Sequence, residues 1–266
     1  MSVLVLIPAR YASTRYPGKP LVDLTGATGE AKSLIRRSWD AAQAMEMTDR
    51  VAVTTDDDRI ADHCRAFGAE VIMTPTTCRN GTERCAAALQ DLDADPEIVI
   101  NLQGDAPLTP PWFPDALVTA MQADADILVA TPVLRLNPDM LASFVADRQE
   151  GRVGGTTAVF DQSGRALYFS KEVVPYTGRA YGPHEEVPVF HHVGVYGYRP
   201  SALRTYMKGA PTPLEDLEGL EQLRFMERGT PVQCVEVEAR GREFWELNNP
   251  VDVARIEKIL KDQDQP

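Results

Sequence analysis

Long apolar runs are missing from this 266-residue chain, and no stretch approaches the roughly 20 residues that a membrane-spanning helix needs. The N-terminus also lacks the basic region of a signal peptide, and Pro8 ends the first apolar run. We therefore expect a cytoplasmic protein with no membrane partner.

Cysteine is scarce as well. The four cysteines, Cys64, Cys78, Cys85 and Cys234, contain no CxxC pair, so we expect free thiols in a reducing compartment. His63 and Cys64 have no second pair at ligand spacing, which argues against a zinc site.

Positive charge is in the minority, with 27 Lys and Arg against 39 Asp and Glu and a net charge of −12. This balance argues against a nucleic acid or an anionic membrane surface as the partner. Hydrophobic residues make up 44% of the chain and charged residues 25%, which is ordinary globular composition. The length fits a single domain over residues 1–266, with an inserted lobe at about 150–210.

The apolar run at residues 3–7 is typical of a buried strand in a parallel sheet. The loop after it concentrates three cations, Arg10, Arg15 and Lys19, in an otherwise acidic chain. Because open α/β sheets bind ligands beyond the carboxyl ends of their strands, this loop is predicted to hold a polyphosphate. The alternative is that these three are merely solvated loop charges.

Strand and helix patterns alternate along the chain, which predicts βαβ units and a parallel or mixed sheet flanked by helices. Strands are expected at 3–7, 50–54, 70–73, 126–133, 156–160, 166–169 and 192–198. Helices are expected at 34–45, 80–92, 112–121, 213–224 and 251–260. A further helix is expected to be capped within residues 55–58 and to run through Phe67. The first strand is not followed by G-x-G-x-x-G, so a dinucleotide dehydrogenase is not expected.

Gly26 and the later run Ala31-Lys32-Ser33 imitate the phosphate loop of an NTPase, but alanine replaces its second glycine. A Cβ there would obstruct the turn around the phosphates. We expect instead a surface hairpin or loop before a helix, with Ser33 as a candidate N-cap.

Two further stretches carry candidate chemistry. Asn80 and Gly81 open a helix, where free backbone amides and a missing Cβ would let a ligand approach, although a simple capping turn fits equally. Asp105 follows a strand that starts at Ile98, and a carboxylate that faces a phosphate loop needs a cation such as Mg²⁺ between them. Its alternative role is to cap backbone amides.

These stretches together resemble the 3-deoxy-manno-octulosonate (Kdo) cytidylyltransferase family of sugar nucleotidyltransferases along nearly the whole chain. The run IPARYASTRYPGKPL carries the resemblance most strongly, with support from NGTER, QGDAP, YFSK, HHVGVYGYR and LEDLEGLEQLR. The resemblance implies a Rossmann-like fold of the nucleotide-diphospho-sugar transferase type, with a small sugar-binding and dimerisation lobe. It further implies Mg²⁺-dependent transfer of CMP from CTP to a 2-keto-3-deoxy sugar acid for lipopolysaccharide or surface glycan synthesis, by a homodimer.

Particular site residues follow from the resemblance. The implied catalytic residues are Arg10, Lys19 and Asp105. The implied nucleotide-binding residues are Ala9, Arg10, Ser13, Arg15, Lys19, Asn80, Gly81, Arg84 and Gln103. The implied sugar-binding residues are His192, Tyr196, Glu221 and Gln222, and the implied metal ligands are Asp105 and Asn248. In isolation, His192 fits a core histidine equally well.

The chain departs from the family pattern at Ala106 (Glu in the family), Thr157 (Lys), His191 (Arg) and Asn248 (the second magnesium Asp). Glu246 or Asp252 could compensate for Asn248. These departures leave two alternatives open. One is a cytidylyltransferase for another acid, such as an amino-Kdo, another nonulosonate or a phosphonate. The other is a catalytically impaired paralogue that binds nucleotide or sugar for regulation.

Overall fold

The computed structural model describes residues 2–13, 15–153, 155–243 and 245–262. Its strands are β1 Val3–Pro8, β2 Asp23–Thr25, β3 Ala31–Ser33, β4 Arg50–Thr55, β5 Glu70–Met73, β6 Ile98–Leu102, β7 Val129–Arg135, β8 Thr156–Phe160, β9 Ala166–Ser170, β10 Phe190–His192, β11 Val195–Tyr198 and β12 Gln233–Val237. Its α-helices are α1 Leu34–Gln43, α2 Asp58–Ala66, α3 Gly81–Ala88, α4 Trp112–Ala123, α5 Pro138–Gln149, α6 Pro200–Met207, α7 Pro213–Glu218, α8 Leu223–Glu227 and α9 Asp252–Asp262.

In the described ranges, ten strands form one mixed sheet in the order β5-β4-β1-β6-β11-β7-β10-β8-β9, with β12 paired to β7. The first four in this order run parallel, and Val5 of β1 lies opposite Val51 on one side and Ile100 on the other. From β11 onward the pairs along this order are antiparallel. The predicted mixed sheet with flanking helices is confirmed.

Both faces of the central sheet are buried, which explains why β1 is apolar without alternation. Val3, Val5 and Ile7 pack into one cluster with residues of α1, α2 and α4. Leu4 and Leu6 pack into another with residues of α3, α6 and α8. Each fully buried aliphatic side chain contributes about 1.5–3 kcal/mol, so the strand that leads into the first loop is firmly anchored.

A third apolar cluster joins the two ends of the chain. Leu24 of β2 and Leu34 pack against Leu247 and against Ile256 of α9. This packing places residues 245–252 beside the loop that follows β1. The predicted hairpin is also confirmed: β2 and β3 pair antiparallel, Lys32 forms an ion pair with Asp40, and Ser33 caps α1 through Arg36 N.

Four predicted elements differ from the structure, one of them the helix expected from 80 to 92, which is α-helical over Gly81–Ala88 and ends in a 3₁₀ turn over Leu89–Asp91. The strand expected at 126–133 lies at Val129–Arg135. The strand expected at 192–198 is interrupted at Val193 and Gly194, because β10 pairs with β7 and β8 whereas β11 pairs with β6 and β7.

The helix expected at 213–224 is also broken, and that prediction was wrong. Gly219 adopts a left-handed conformation with φ 62° and ends α7. Leu217 is 80% exposed, so the expected leucine stripe does not face a core throughout. The break turns Glu221 inward, where its carboxylate accepts a hydrogen bond from the Thr82 amide.

The region at about 150–210 contributes β8, β9, β10 and β11 to the main sheet, and its role as an inserted lobe stays a prediction. None of the helices in the described ranges has the length and apolar character of a membrane span. The four cysteines are buried free thiols, as expected.

Candidate active site

A cavity of about 470 Å³ opens at the carboxyl ends of β1 and β6. Its walls come from the loop after β1, the turn before α3, the loop after β6 and residues 219–222. The structure brings thirteen of the predicted site residues into the lining: Ala9, Arg10, Ser13, Arg15, Lys19, Asn80, Gly81, Arg84, Gln103, Asp105, Tyr196, Glu221 and Gln222. His192 and Asn248 do not line it.

The loop after β1 is held by its own backbone. The carbonyl of Tyr11 accepts hydrogen bonds from the amides of Ser13 and Gly18, at 3.0 and 2.9 Å. Gly18 has φ 72°, and a Cβ there would lie 3.1 Å from the Tyr11 ring. These contacts fix Lys19 at the start of a short 3₁₀ turn and leave Arg10 exposed beside the cavity.

Gly104 brings the loops after β1 and β6 together. A Cβ at this position would lie only 2.7 Å from the backbone oxygen of Pro8, so only glycine permits the approach. Ser38 of α1 donates a hydrogen bond to the Gly104 carbonyl at 3.2 Å. Asp105 is thereby placed facing the cationic loop.

Lys19 and Asp105 form the polar centre of this edge of the cavity. The Lys19 Nζ donates to Asp105 Oδ2 at 2.6 Å and to the Leu247 carbonyl at 3.0 Å. The Leu247 amide donates to the Asp105 carbonyl at 2.9 Å. Arg15 donates to Asn248 Oδ1 at 2.8 Å, so residues 247 and 248 pack onto the first loop.

The turn before α3 forms the opposite wall. Asn80 caps α3 by accepting the Glu83 amide at 2.8 Å, and its own amide donates to the Tyr206 hydroxyl at 2.9 Å. A Cβ at Gly81 would lie 3.0 Å from Gln103 Nε2. Asn80 and Gly81, which the sequence analysis identified, therefore lie in a closely packed wall.

Arg84 is 3% exposed, although it lines the cavity. Its guanidinium donates to Thr74 Oγ1 at 2.6 Å and lies 3.3 Å from Asp56 Oδ2. The side chain is fixed by these two partners, which limits how far it can move toward a ligand.

Glu221 links the start of α3 to the loop after β6. One carboxylate oxygen accepts the Thr82 amide at 2.9 Å, and the other accepts Gln103 Nε2 at 3.0 Å. Burial raises the pKa of Glu221, while the hydrogen bonds from Thr82 and Gln103 oppose that shift. Glu221 therefore organises the cavity wall whether or not it also contacts a sugar.

Tyr196 and Gln222 lie at the inner end of the cavity. The Tyr196 hydroxyl donates to Gln222 Oε1 at 3.0 Å. Gln222 is 1% exposed, and its Nε2 has no hydrogen-bond partner in the described structure. A buried free donor at a cavity wall is suited to an acceptor oxygen on a ligand.

His192 lies behind Tyr196 instead of in the lining, with the ring centroids 5.6 Å apart. Its two nitrogens contact Thr156 Oγ1 at 3.0 Å and Thr131 Oγ1 at 3.1 Å. Burial and the neighbouring His191 lower the pKa of His192 to about 3. The geometry is that of a satisfied core histidine, and contact with the sugar is not supported by it.

All four departures from the family pattern lie outside the lining, Asn248 among them. Ala106 is fully buried. Thr157 donates to the Glu172 carbonyl and accepts from the Val174 amide, at 2.7 and 3.1 Å. His191 packs edge-on against Phe144 with centroids 5.3 Å apart. Ala106, Thr157 and His191 therefore contact the protein interior and not the cavity.

Arg224 is a buried residue behind the cavity wall whose role the sequence did not reveal. It is 1% exposed and donates two hydrogen bonds of 2.6 Å to Glu215 and one of 3.0 Å to Glu83. This network joins α7 and α8 to α3 behind the cavity wall. One sequence feature could have indicated this role. Arg224 is the cation of the acid-rich stretch 213–224, whose leucines are spaced for burial in a core.

Carboxylate oxygens lie at the Asp105 edge of the cavity, where magnesium is expected from the resemblance. Burial, and after it the negative charge of Asp105, raises the pKa of Glu246 to about 7. No group of three or more His, Cys, Asp or Glu side chains among the described residues could hold a metal. One or two carboxylates are the protein ligands typical of a magnesium ion that takes its other ligands from substrate phosphates and water.

A cationic loop after the first strand faces a carboxylate at the end of the neighbouring strand of a mixed α/β sheet, an arrangement suited to a nucleotidyltransferase. The family model described as cytidylyltransferase matches residues 4–237. The chain is 45% identical over 260 residues to the 3-deoxy-manno-octulosonate cytidylyltransferase of Maricaulis maris (strain MCS10), covering 98% of this chain and 97% of that protein. It is 38% identical over 263 residues to the mitochondrial 3-deoxy-manno-octulosonate cytidylyltransferase of Arabidopsis thaliana, covering 98% of this chain and 84% of that protein.

A solved structure of CMP:2-keto-3-deoxy-manno-octonic acid synthetase complexed with CTP superposes with a TM-score of 0.83 and 29% identity. The match covers 99% of this chain and 100% of that chain. The chain belongs to the cytidylyltransferase family, and within it to the 3-deoxy-manno-octulosonate cytidylyltransferases.

Proposed function

We propose that this protein transfers CMP from CTP to Kdo and releases pyrophosphate, for lipopolysaccharide or surface glycan synthesis. The observation that carries the proposal is the cavity that joins the Lys19 loop to Asp105, in a chain 45% identical to a 3-deoxy-manno-octulosonate cytidylyltransferase. The departures at Ala106, Thr157 and His191 lie outside the cavity lining, which favours Kdo over another acid.

The three cations of the first loop bind the triphosphate in this proposal. Arg10, Arg15 and Lys19 all line the cavity. Arg15 is held there by its hydrogen bond to Asn248, and Lys19 supplies a point charge. Ala9, Ser13, Asn80, Gly81, Arg84 and Gln103 surround the nucleotide. Tyr196, Glu221 and Gln222 line the remaining space, where they would meet the sugar hydroxyls and carboxylate.

The reaction needs little covalent chemistry from the protein. The anomeric hydroxyl of the sugar forms a new bond to the α-phosphorus, the bond from that phosphorus to the bridging oxygen breaks, and the hydroxyl proton passes to solvent. Lys19 and the two arginines hold the phosphates in line and neutralise charge, which is where most of the catalysis resides.

We propose Mg²⁺ as the cofactor. Asp105 would hold it together with an oxygen ligand from the segment that contains Asn248. When bound, it would polarise the α-phosphate and lower the barrier to attack. The oxygen donors at this edge support the proposal.

A homodimer and a cytoplasmic location are further proposals. The edge strand β9 presents Leu167, which is 60% exposed, and this edge is a candidate dimer surface. Four free cysteines are typical of a reducing compartment. Light scattering on the purified protein would measure the oligomeric state.

The decisive experiment measures pyrophosphate release with CTP and Mg²⁺, with Kdo present or absent. Release that depends on Kdo is the expected result. Parallel assays with an amino-Kdo, another nonulosonate and a phosphonate test the substrate, and faster turnover with one of them would replace Kdo. Calorimetric CTP binding without release on any acid would establish an impaired paralogue instead.

A further inference from the structure

Glu246 is a carboxylate of the segment between β12 and α9 to which the proposed mechanism gives no role. Its neighbour Leu247 is bound on both sides, since its amide donates to the Asp105 carbonyl at 2.9 Å and its carbonyl accepts from Lys19 at 3.0 Å. The backbone at Glu246 is therefore fixed beside Asp105.

The Glu246 side chain extends toward the carboxyl end of β6. A Cβ added to Gly194 would lie 3.3 Å from Glu246 Oε1 and 3.8 Å from Gln103 Cγ. Gln103 lines the cavity and precedes Asp105 by two residues. Glu246 thus reaches the edge of the sheet at which the cavity opens.

Asn248 is oriented so that it supports Glu246. Its Oδ1 accepts a hydrogen bond from Arg15 at 2.8 Å, and its Nδ2 lies 3.4 Å from Glu246 Oε2. The reversed amide would place NH₂ against a guanidinium and oxygen against a carboxylate, so only this orientation satisfies both neighbours. The neutral oxygen of Asn248 therefore points at Arg15 and already accepts one hydrogen bond from it.

Asp252, the other carboxylate near this segment, is also occupied. Its Oδ2 accepts the amides of Asn248 and Asn249 at 3.0 and 2.6 Å, and its Oδ1 accepts Trp245 Nε1 at 3.2 Å. Asp252 thereby fixes the shape of the segment that precedes α9.

We propose that Glu246, and not Asn248, is the second carboxylate that this chain offers to the divalent cation, beside Asp105. Two carboxylates that leave the other positions to phosphates and water are typical of magnesium sites. The inference rests on the proposed function, because the nucleotide must supply the remaining ligands.

The test uses Mn²⁺ as the probe and measures the free ion by electron paramagnetic resonance, with a non-hydrolysable CTP analogue present. We expect Glu246→Gln to weaken Mn²⁺ binding by about tenfold or more, and Asn248→Asp to bind at least as tightly as wild type. The double variant Glu246→Gln with Asn248→Asp regains affinity, because the carboxylate is restored two residues away. Glu46→Gln, which changes an exposed carboxylate, is the matched control and keeps wild-type affinity.

Wild-type Mn²⁺ affinity in a folded Glu246→Gln protein would overturn the inference. So would a loss in Asn248→Ala that Glu246→Gln does not show. Thermal melts establish that each variant is folded, and Glu246→Asp, which keeps the charge, gives a milder second test. Wild-type pyrophosphate release is measured on the same preparation, so failure of the proposed reaction is separated from failure of the ligand assignment.

Discussion

The ammonium of Lys19 lies 2.6 Å from Oδ2 of Asp105, and the same nitrogen donates to the carbonyl of Leu247. One side chain thus joins the loop after β1, the loop after β6 and the segment before α9. The two side chains are 14% and 26% exposed, so water screens the pair less than a surface ion pair. Three distant parts of the sequence therefore converge where phosphate charge would be neutralised.

Lys19→Ala tests this convergence. The change removes a positive charge from the phosphates and leaves Asp105 without its partner, so we expect kcat/KM for CTP to fall by about 10²- to 10³-fold. Steady-state pyrophosphate release measures the effect. A loss smaller than threefold would contradict the role given to Lys19.

Lys32→Ala is the matched control for that variant. Lys32 lies in the hairpin strand β3 and pairs with Asp40 at 3.0 Å, outside the cavity lining. We expect wild-type kcat/KM, and a stability change within about 1 kcal/mol because the pair is partly exposed.

Gly104→Ala tests the close approach of the two loops. Its Cβ would lie 2.7 Å from a backbone oxygen of Pro8, so the loops must separate and displace Asp105 from Lys19. We expect a loss of about 1–3 kcal/mol in the free energy of unfolding, together with lower kcat. Urea denaturation and turnover measure the two effects.

Gly182→Ala is the control for the glycine prediction. The nearest atom to its added Cβ is the Glu185 carboxylate oxygen at 3.5 Å, an ordinary contact. Stability and turnover should both stay near wild type. Equal behaviour of the two glycine variants would show that the Pro8 contact is unimportant.

Much of the fold and of the cavity was predictable, because local signals and the topology agree. The apolar runs of β1, β4 and β6 are buried on both faces, and parallel strands bring their carboxyl ends to one edge. Lys19 and Asp105 follow two neighbouring strands and therefore meet. The family resemblance supplied the remaining lining residues, which no periodicity reveals.

The rest depends on tertiary contacts that the sequence does not display. Leucine spacing predicted one helix over 213–224, but Gly219 and the inward turn of Glu221 break it. The alternation of residues 192–198 predicted that His192 would face the ligand cavity. Instead, its ring lies behind Tyr196 and contacts the hydroxyls of two threonines. In both places, long-range hydrogen bonds determine the position of the side chain, and the local sequence pattern does not show them.

The buried His192 predicts a pH dependence of stability. Its pKa is lowered to about 3 by burial and by His191, from the ordinary value of 6.5. As pH falls from about 6.5 toward 4, the unfolded chain binds a proton that the folded chain does not, so stability falls. This one ring contributes up to about 1.4 kcal/mol per pH unit.

Nitrogen-15 NMR of the histidine rings, combined with urea unfolding between pH 4 and 7.5, checks this prediction. The His192 ring should stay neutral down to pH 4, and His192→Gln should reduce the slope of stability against pH. A titration midpoint near 6.5 for His192 would disprove it.

Arg224→Ala tests the network behind the cavity wall. The change leaves the carboxylates of Glu215 and Glu83 buried without the cation that accompanies them, and it removes a guanidinium stacked 3.9 Å from the Tyr206 ring. We expect the free energy of unfolding to fall by about 3–5 kcal/mol. Urea denaturation at pH 7 measures it.

Arg65→Ala provides the comparison for Arg224→Ala. Arg65 pairs with Asp62 at 3.1 Å, with side chains 51% and 75% exposed, so its loss should cost no more than about 1 kcal/mol. If Arg224→Ala lost no more stability than Arg65→Ala, the buried charges of Glu83 and Glu215 would have to be satisfied without the guanidinium. The Glu83 side chain also accepts the amide of Arg79, which lines the cavity, so we expect Arg224→Ala to raise the KM for CTP as well.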